Sequence, residues 1–416
     1  MKKLTILLFI ITYVSSYNLI AQNGHLMIVG GALEDTNQAI YKRMLELAGG
    51  PTQAKIAIIP SASGYATTGP QIFANNCIKF GALPWNCEII QIACVDDPDT
   101  KEIDESTWAS NANNPEIVQK IKESNLVWFT GGDQMRTMKL LIPNGKPTPA
   151  YEAVVDVLNR GGVVAGSSAG AAIQSIVMIG GGTSLGAIIN GEASSIEMTE
   201  EPDHEGIYLT KGCGFFPYGI VDQHFSQRAR LGRLTLAAWL NREKWSQAIG
   251  IDEDTALEVD LKNGTGMVWG RNHILVIDLK QSQGIKNDQG YSFKNVSLSI
   301  LQQGDEIDLK QGQITIAKDK TLLKKETKDK RTSFIQTGAL GGDGYSLIDM
   351  VGEIITHSEE EETLNNLTLI SQDTAVQFSL KNTKETLLYR STKQKNRFSV
   401  THLSFDITPL KIKVLK

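Results

Sequence analysis

Cysteine and histidine are scarce in this chain, which has 4 cysteines and 6 histidines in 416 residues. Neither the cysteines nor the scattered histidines have the spacing of a metal site, so we expect no metal ion and no other cofactor. Four cysteines allow three disulfide pairings in an exported protein, and buried free thiols are an equally good interpretation. The four are Cys77, Cys87, Cys94 and Cys213.

An excess of charge of one sign is also missing. The 41 basic and 46 acidic residues give a formal net charge of -5. Because nucleic-acid binding depends on a concentrated positive charge, we expect no nucleic acid as a partner. The Lys-rich stretch over 318–331 contains interleaved acids and is typical of a solvated surface or a linker.

Long apolar runs are absent after the N-terminus. Residues 4–14 form an apolar run that follows Lys2 and Lys3 and precedes small and polar residues. This order is typical of a signal peptide, and the run is shorter than the ~20 residues that a membrane span needs. We predict a signal peptide over residues 1–21, export to the periplasm or the medium, and no membrane association after cleavage.

Short apolar runs alternate with longer amphipathic stretches from residue 26 to about residue 173. The candidate strands are Leu26–Gly30, Ile56–Pro60, Glu88–Ile92, Leu126–Thr130 and Gly162–Ala165. The candidate helices are Asn37–Leu47, Pro70–Phe80, Pro115–Ser124 and Ala150–Leu158. Apolar strands that alternate with helices predict an α/β fold with a mostly parallel sheet and flanking helices. In such a sheet, functional sites lie beyond the carboxyl ends of the strands.

The pattern changes after residue 263, where short β-type runs are separated by polar turns. These runs are Met267–Trp269, His273–Asp278, Val296–Leu301, Gln313–Ala317, Thr374–Ser379 and Ile412–Leu415. We predict a β-rich C-terminal extension over residues 318–416, which contains no chemical motif.

A glycine-rich break follows the fifth candidate strand, where residues 163–172 read VVAGSSAGAA. A nucleophilic serine at a sharp strand-to-helix turn needs small residues two positions before and two positions after it. Gly166 and Gly170 have that spacing only for Ser168. The alternatives are a structural glycine turn and a phosphate-binding loop. This segment does not contain the lysine that a P-loop requires. The motif therefore indicates Ser168 as a nucleophile.

A serine hydroxyl needs a neighbouring base, and a carboxylate must orient that base. His224 lies at the end of an apolar run, within the sequence VDQHFSQRARLGRL over 221–234, and is the candidate base. The candidate carboxylates are Asp252, Glu253 and Asp254, directly after another apolar run. Spacing alone does not choose among the three acids, and an exposed acidic turn is the alternative.

Four segments, in this order along the chain, together resemble the cyanophycinases. They are Thr130–Gln134, Gly166–Ala172, Asp222–Phe225 with Arg228 and Arg233, and Gly250–Ala256. The resemblance covers roughly residues 26–309 and implies a glutamine-amidotransferase-like fold for a hydrolase domain over residues 22–317. It implies the catalytic residues Ser168, His224 and Glu253, an oxyanion hole at Gly132 and Ala169, and a substrate pocket lined by Gln134, Asp222, Gln223, Arg228 and Arg233.

The resemblance also implies a substrate and a reaction. Cyanophycin is a poly-aspartate backbone with arginine on the β-carboxyl groups, and a serine-type exopeptidase would release β-Asp-Arg dipeptides through an acyl-enzyme. Arg228 and Arg233 are suited to carboxylates, and Asp222 is suited to a guanidinium. The alternatives are an aspartyl or isoaspartyl peptidase for short peptides and a non-catalytic secreted binding protein. The dimers common in the family imply a homodimer.

Overall fold

The structure is a computed structural model that describes residues 23–195, 206–325, 339–341, 347–357, 362–371, 373–394 and 396–412. The predicted signal peptide over residues 1–21 lies outside these ranges. So do residues 326–331 of the Lys-rich stretch and most of the candidate strand Ile412–Leu415. Among the described helices, none is long and apolar enough to cross a membrane.

The helices alternate with the strands in the first part of the chain. They are α1 Gln38–Leu47, α2 Thr68–Lys79, α3 Pro115–Glu123, α4 Gln134–Leu141, α5 Pro149–Asn159, α6 Ala169–Ala172, α7 Ser184–Asn190, α8 Leu231–Leu240 and α9 Leu347–His357. Two of them begin where the sequence places a capping residue before a proline. The Asn114 side chain accepts a hydrogen bond at the start of α3, and the Thr148 side chain does so at the start of α5.

The strands become dense in the second half of the chain. The strands of the first half are β1 His25–Val29, β2 Ile56–Ile59, β3 Cys87–Ile89, β4 Leu126–Phe129, β5 Val163–Ser167, β6 Val177–Gly181 and β7 Tyr208–Lys211. Those that follow are β8 Ile220–Gln223, β9 Gln247–Ile251, β10 Thr255–Asp260, β11 Thr265–Gly270, β12 Ile274–Asp278, β13 Gln283–Asn287 and β14 Gly290–Leu301. The last are β15 Glu306–Asp308, β16 Ile314–Thr315, β17 Lys320–Leu322, β18 Thr363–Leu369, β19 Thr374–Lys381, β20 Leu387–Ser391 and β21 Phe398–Lys411.

The first sheet has the strand order β16-β15-β11-β10-β1-β5-β4-β2-β3. The strands β1, β5, β4, β2 and β3 run parallel to one another, and antiparallel pairing through β10 extends the sheet on the other side. Alternate residues of these strands pack against α1 and α2 on one face and against α3 and α5 on the other. This two-sided burial explains the continuous apolar runs. The α/β fold class with flanking helices is confirmed.

The second sheet has the strand order β17-β20-β21-β14-β12-β9-β8, with β13, β18 and β19 paired at its side. Its strands β8 and β9 are parallel, and its other pairings are antiparallel. The predicted β-rich C-terminal region is therefore present. Its long strand β21 pairs with β14, which precedes residue 318. The division into domains at residue 318 stays a prediction.

Candidate active site

Ser168 lies at the turn between β5 and α6. Its backbone has φ 55° and ψ -111°, an unusual conformation for a residue with a side chain. The two flanking glycines permit this sharp turn. A Cβ at Gly166 would lie 2.4 Å from the carbonyl oxygen of Gly170, and a Cβ at Gly170 would lie 2.3 Å from that of Phe129. The glycine spacing in the sequence is thus a steric requirement of the turn.

His224 directly follows β8 and is buried, with 6% of its surface exposed. It also has a positive φ, 46°, and its backbone N–H donates to the carbonyl oxygen of Gly30 at 2.6 Å. The base is therefore attached by its backbone to the end of β1. Because β1 and β5 are neighbours in the first sheet, this contact brings His224 beside Ser168.

The three acids after β9 have different partners. Asp252 accepts a hydrogen bond from the N–H of Ser226, and Asp254 accepts one from the N–H of Glu34. Only Glu253 contacts the imidazole of His224. The contact that spacing could not assign to one of the three acids is therefore made by Glu253.

Ser168, His224 and Glu253 form one continuous chain of hydrogen bonds. The Nε2 atom of His224 lies 2.7 Å from Ser168 Oγ, and its Nδ1 atom lies 2.6 Å from Glu253 Oε1. Burial lowers the pKa of His224, the hydrogen bond with Glu253 opposes this, and the positive charges of Arg228 and Arg230 add to the lowering. Because the net effect is a lowered pKa, the imidazole of His224 is neutral at neutral pH. Its Nδ1–H is then directed at the carboxylate of Glu253, and Nε2 is free to accept the serine proton.

Gly31 lies against the flat face of that imidazole. Its φ is 118°, and a Cβ at this position would lie 2.2 Å from His224 Cε1 and 2.4 Å from Nε2. Any larger residue would displace the base. The sequence showed a glycine pair at the end of β1, but no pattern in it linked that pair to a histidine almost 200 positions later.

The loop after β4 also lies close to Ser168. A Cβ at Gly131 would lie 3.3 Å from Ser168 Cβ, and one at Gly132, where φ is 135°, would lie 2.0 Å from the carbonyl oxygen of Ala62. The backbone N–H groups of Gly132 and Ala169 have no hydrogen-bond acceptor among the residues that the structure describes. These two donors are available on either side of the serine turn.

Asp222 and Arg233 pair with each other, which differs from their expected roles as separate contacts for substrate groups. Arg233 Nε lies 2.7 Å from Asp222 Oδ2, and Arg233 Nη2 lies 2.6 Å from Oδ1. Both residues are buried, and Arg230 also contacts Asp222, at 3.3 Å. Burial raises the pKa of Asp222, but the charges of Arg233 and Arg230 outweigh it, so that the pKa is lowered and the group stays ionised.

The other three predicted pocket residues differ in their availability. Gln134 uses its amide N–H to bind the carbonyl oxygens of Ile179 and Gly180 at 3.2 and 3.0 Å. Gln223 is buried beside His224, and its side-chain oxygen has no hydrogen-bond partner within the described chain. Arg228 is exposed and close enough to His224 to influence its pKa. The side chain of Arg228 and the Gln223 oxygen therefore have no hydrogen-bond partner within the described chain, whereas the amide N–H of Gln134 is occupied.

A cleft of about 630 Å³ opens beside the serine turn. It is lined by Leu33, Tyr41, Ser63, Tyr65, Thr68, Gly69, Ile72, Phe73, Asn76, Asp99, Trp128, Thr130, Gly131 and Ser167. Its wall includes the stacked rings of Phe73 and Trp128, whose centroids lie 3.9 Å apart. Thr130 contributes a buried hydroxyl without a hydrogen-bond partner in the described structure. The volume is in the usual range for a small-molecule or peptide-side-chain site.

The cysteines are all thiols in the structure. Cys77 and Cys213 are buried, whereas Cys87 and Cys94 are half-buried. Burial raises the pKa of Cys87 to about 11, so its thiol stays protonated and unreactive at neutral pH. Within the described ranges, no group of three or more histidine, cysteine, aspartate or glutamate side chains could hold a metal ion.

Comparisons with known proteins agree with the motifs. The model of peptidase family S51 matches residues 26–265. The cyanophycinase of Geminocystis herdmanii is 30% identical over 294 residues, which are 68% of this chain and 93% of that protein. The cyanophycinase of Nostoc sp. is 28% identical over 292 residues, which are 68% of this chain and 85% of that protein.

Two solved structures are similar over most of their own length. One is a peptidase from an acI-B1 actinobacterium, with 20% identity, a TM-score of 0.46, and coverage of 69% of this chain and 98% of that one. The other is a putative peptidase E from Listeria monocytogenes, with 14% identity, a TM-score of 0.36, and coverage of 60% and 99%. The family match extends over more than half of the sequence and includes the serine turn, the histidine segment and the acidic turn. This chain therefore belongs to peptidase family S51 and is a serine-type peptidase.

Proposed function

We propose that this protein is a secreted exopeptidase that hydrolyses cyanophycin to β-Asp-Arg dipeptides. Ser168 is the nucleophile, His224 is the general base and Glu253 orients the imidazole. The observation that carries the proposal is the unbroken chain of contacts, 2.7 Å and 2.6 Å long, from the hydroxyl through the imidazole to the carboxylate. Two relatives named cyanophycinase, aligned over 68% of the chain, support the substrate.

The reaction begins when Ser168 Oγ attacks the scissile carbonyl and its proton passes to His224 Nε2. The imidazolium that forms is stabilised by Glu253, and it then gives the proton to the leaving amine. An acyl-enzyme on Ser168 remains, and water hydrolyses it with His224 again acting as the base. The free N–H groups of Gly132 and Ala169 are the donors we assign to the oxyanion.

Substrate binding involves both sides of the serine turn. Arg228 is exposed beside the base and supplies a positive charge for a substrate carboxylate. The unpartnered oxygen of Gln223 is an acceptor for a substrate N–H, and the cleft lined by Thr130 and Gly131 has room for a side chain. Asp222 and Arg233 pair with each other, and Asp222 also accepts a hydrogen bond from the backbone N–H of Gln223.

The pairing of Asp222 also favours a second candidate, an aspartyl or isoaspartyl peptidase for short peptides. A free carboxylate at Asp222 would recognise a substrate guanidinium and so favour cyanophycin over simple aspartyl peptides. Since Arg233 and Arg230 already occupy that carboxylate, Asp222 gives cyanophycin no such preference. Rates on cyanophycin and on Asp-X and β-Asp-X dipeptides discriminate the two candidates.

The test uses the protein without residues 1–21, incubated with cyanophycin, with the products identified by mass. We expect β-Asp-Arg from the wild type and none from Ser168→Ala, with both proteins folded by circular dichroism. A fluorophosphonate should label the wild type and not Ser168→Ala. Undiminished hydrolysis by folded Ser168→Ala would refute the nucleophile, and a wild type that binds cyanophycin without turnover would favour a binding protein.

Export is a separate part of the proposal and has its own test. The signal-peptide pattern over residues 1–21 supports it. Expression of the full chain in a Gram-negative host, followed by fractionation and N-terminal sequencing, should give a mature protein outside the cytoplasm that begins near residue 22. A full-length chain that stays in the cytoplasm would contradict export without affecting the assignment of the active site.

A further inference from the structure

A second chain of buried hydrogen bonds begins beside the active site and ends in the C-terminal strand. Asp252 Oδ1 accepts from the N–H of Ser226 at 2.8 Å, and Asp252 Oδ2 lies 3.3 Å from His273 Nδ1. His273 Nε2 lies 3.0 Å from the amide nitrogen of Gln302. Gln302 Oε1 accepts from the N–H of Phe398, the first residue of β21, at 2.6 Å. The three residues between the two backbone donors, Asp252, His273 and Gln302, are 1%, 8% and 4% exposed.

The two backbone N–H groups at the ends fix the direction of every bond between them. Because the N–H of Phe398 can only donate, the oxygen of Gln302 must face it and the NH₂ group must face His273. His273 Nε2 is therefore the acceptor, and the proton of the neutral ring is on Nδ1, which donates to Asp252. Each donor meets an acceptor, and no other arrangement of these groups satisfies both ends.

The near end of this chain touches the two catalytic segments. Asp252 immediately precedes Glu253, and Ser226 lies two residues after His224. The carboxylate of Asp252 therefore joins the turn that carries the acid to the segment that carries the base. A shift of this carboxylate would change the distance between Glu253 and His224, which is 2.6 Å in the structure.

The far end is fixed by a buried ion pair. Lys320 Nζ lies 2.7 Å from Asp305 Oδ2, and both side chains have no exposed surface. Lys320 also donates to the carbonyl oxygen of Gln302 and to the hydroxyl of Ser399, and this hydroxyl donates to Asp305. An ion pair this well enclosed holds β17 and β21 in a single position against the segment that contains Gln302.

We propose that Asp252, His273 and Gln302 are positioning residues through which the C-terminal strand fixes the loops of the catalytic base and acid. The proposal rests on the proposed function, because the position of these loops affects catalysis only if Ser168, His224 and Glu253 react as described. It gives the C-terminal extension a role in catalysis, although none of its described residues forms a hydrogen bond with Ser168, His224 or Glu253.

The direction of these hydrogen bonds can be tested, because substitutions at positions 252 and 302 together would exchange the donors and acceptors on both sides of His273. In Asp252→Asn, the new side-chain amide adds a donor to the chain. As long as His273 is neutral, two donors then face each other at one of the contacts, whichever way the two amides and the imidazole are oriented. In Gln302→Glu, a carboxylate oxygen faces the lone pair of His273 Nε2 unless the ring gains a proton. In the double variant, the new amide at position 252 donates to Nδ1, and Nε2–H donates to the new carboxylate at position 302. That carboxylate still accepts from the N–H of Phe398.

The experiment measures the rate at which a fluorophosphonate labels Ser168, since this reports the reactivity of the serine without depending on the peptide substrate. We expect each single variant to be labelled about tenfold more slowly than the wild type. The reason is one unsatisfied buried polar group in Asp252→Asn, and in Gln302→Glu either such a group or additional buried charge. The double variant Asp252→Asn/Gln302→Glu should recover most of the wild-type rate. A matched control, Asp278→Asn/Gln302→Glu, has the same net charge as the wild type and should remain as slow as Gln302→Glu.

Rescue is the outcome that a general packing role would not produce, and rates are referred to the folded fraction measured by circular dichroism. Single variants that fail to fold still test the proposal, because the double variant should then regain both folding and labelling. Single variants labelled as fast as the wild type, or a double variant no faster than the slower single variant, would overturn it. A wild type that is not labelled at all would instead refute the proposed function.

Discussion

At the scale of single residues, we expect the reactivity proposed for Ser168 to depend on a glycine that lies against His224. Gly31 faces the imidazole of His224 with no room for a methyl group. We expect Gly31→Ala to lower kcat by about 100-fold or more, because a displacement of a catalytic group by about 1 Å is enough for a loss of that size. Steady-state kinetics on the substrate identified for the wild type measure the effect.

The control for this substitution is Gly50→Ala. Gly50 has a similar backbone, with φ 105° against 118° for Gly31, but nothing lies within 4 Å of a Cβ there. Both variants therefore carry a comparable backbone cost of roughly 1 kcal/mol, and only one displaces His224. Equal loss of kcat in the two variants would show that backbone strain, and not the contact with the base, is responsible.

The charge of Arg228 should be visible in the pH dependence. Burial and the positive charges of Arg228 and Arg230 lower the pKa of His224, so its neutral form persists below the pH at which an ordinary imidazole becomes charged. The acid limb of kcat/KM reports this pKa in the free enzyme. In Arg228→Gln, one cation that disfavours the imidazolium is gone, the pKa rises, and the acid limb should move to higher pH.

An exposed arginine elsewhere separates this local effect from a change in net charge. Arg242 lies over the ring of Trp239, and Arg242→Gln should leave the acid limb in place. High salt should move the acid limb of the wild type to higher pH, because it screens the charge of Arg228. The same salt should move the acid limb of Arg228→Gln by less. An acid limb that moves down in Arg228→Gln would contradict the assigned sign.

The sequence indicated Ser168 and His224 as the candidate nucleophile and base, but not everything that holds these two residues in place. Ser168 could be predicted because the requirement for small neighbours is local and appears as two glycines at fixed spacing. Glu253 could not be chosen by spacing over Asp252 and Asp254, since all three leave the same strand. The contact of Gly31 with His224 joins segments that are distant in the chain, and no local pattern reports it.

At the scale of secondary-structure elements, a buried ion pair joins β8 to α8. Asp222 and Arg233 are 2% and 7% exposed and form two hydrogen bonds. We expect Arg233→Met to lower the free energy of unfolding by about 3 kcal/mol, because it leaves a buried carboxylate with only part of its partners. Urea denaturation followed by circular dichroism measures this change.

Removing both charges should be less harmful than removing one. The double variant Asp222→Leu/Arg233→Met leaves no uncompensated carboxylate, so we expect it to be more stable than Arg233→Met alone. Lys120→Met is the control for an ordinary ion pair, because Lys120 and Glu88 are both largely exposed, and its effect should be about 0–1 kcal/mol. A double variant less stable than Arg233→Met would mean that the pair contributes more than charge compensation.

The elements themselves could be predicted well where both faces of a strand are buried. The five candidate strands of the first half correspond to β1–β5, and four candidate helices correspond to α1, α2, α3 and α5. The antiparallel pair of β6 and β7, which are far apart in the chain, has no candidate in the sequence, because these short strands mix buried and half-buried residues without a regular alternation. The pairing of Asp222 with Arg233 was missed for a different reason: two polar residues in a motif look alike whether they face a substrate or each other.

At the scale of the whole molecule, the active site lies where the two sheets meet. Ser168 follows a strand of the first sheet, and His224 follows a strand of the second. Glu253 lies on the turn from β9 of the second sheet to β10 of the first. The three side chains therefore come together only when both sheets have formed. Sequence patterns predict each strand but not how two sheets are placed side by side.

The second sheet depends in turn on the C-terminal strands. The side chains of Phe378, Phe405 and Ile407 share one buried cluster with Phe293 and Leu298, which precede residue 318. A chain from Asn23 to Ala317 would lose this cover and expose the edge of β14 that β21 occupies. Exposed apolar edges of this kind favour aggregation. We expect the shortened chain to be mostly insoluble, and its soluble fraction to bind the dye ANS strongly.

A chain from Asn23 to Ile412 is the matched control, since it keeps every described strand and should remain soluble with low dye binding. The comparison is made by centrifugation after expression and by dye fluorescence of the supernatant. If the chain ending at Ala317 were soluble and unfolded cooperatively at the temperature of the control, the N-terminal part would be an independent domain. The hydrogen bond from Phe398 to Gln302, which the truncation removes, would then be dispensable for folding, and only its effect on the reactivity of Ser168 would remain as its role.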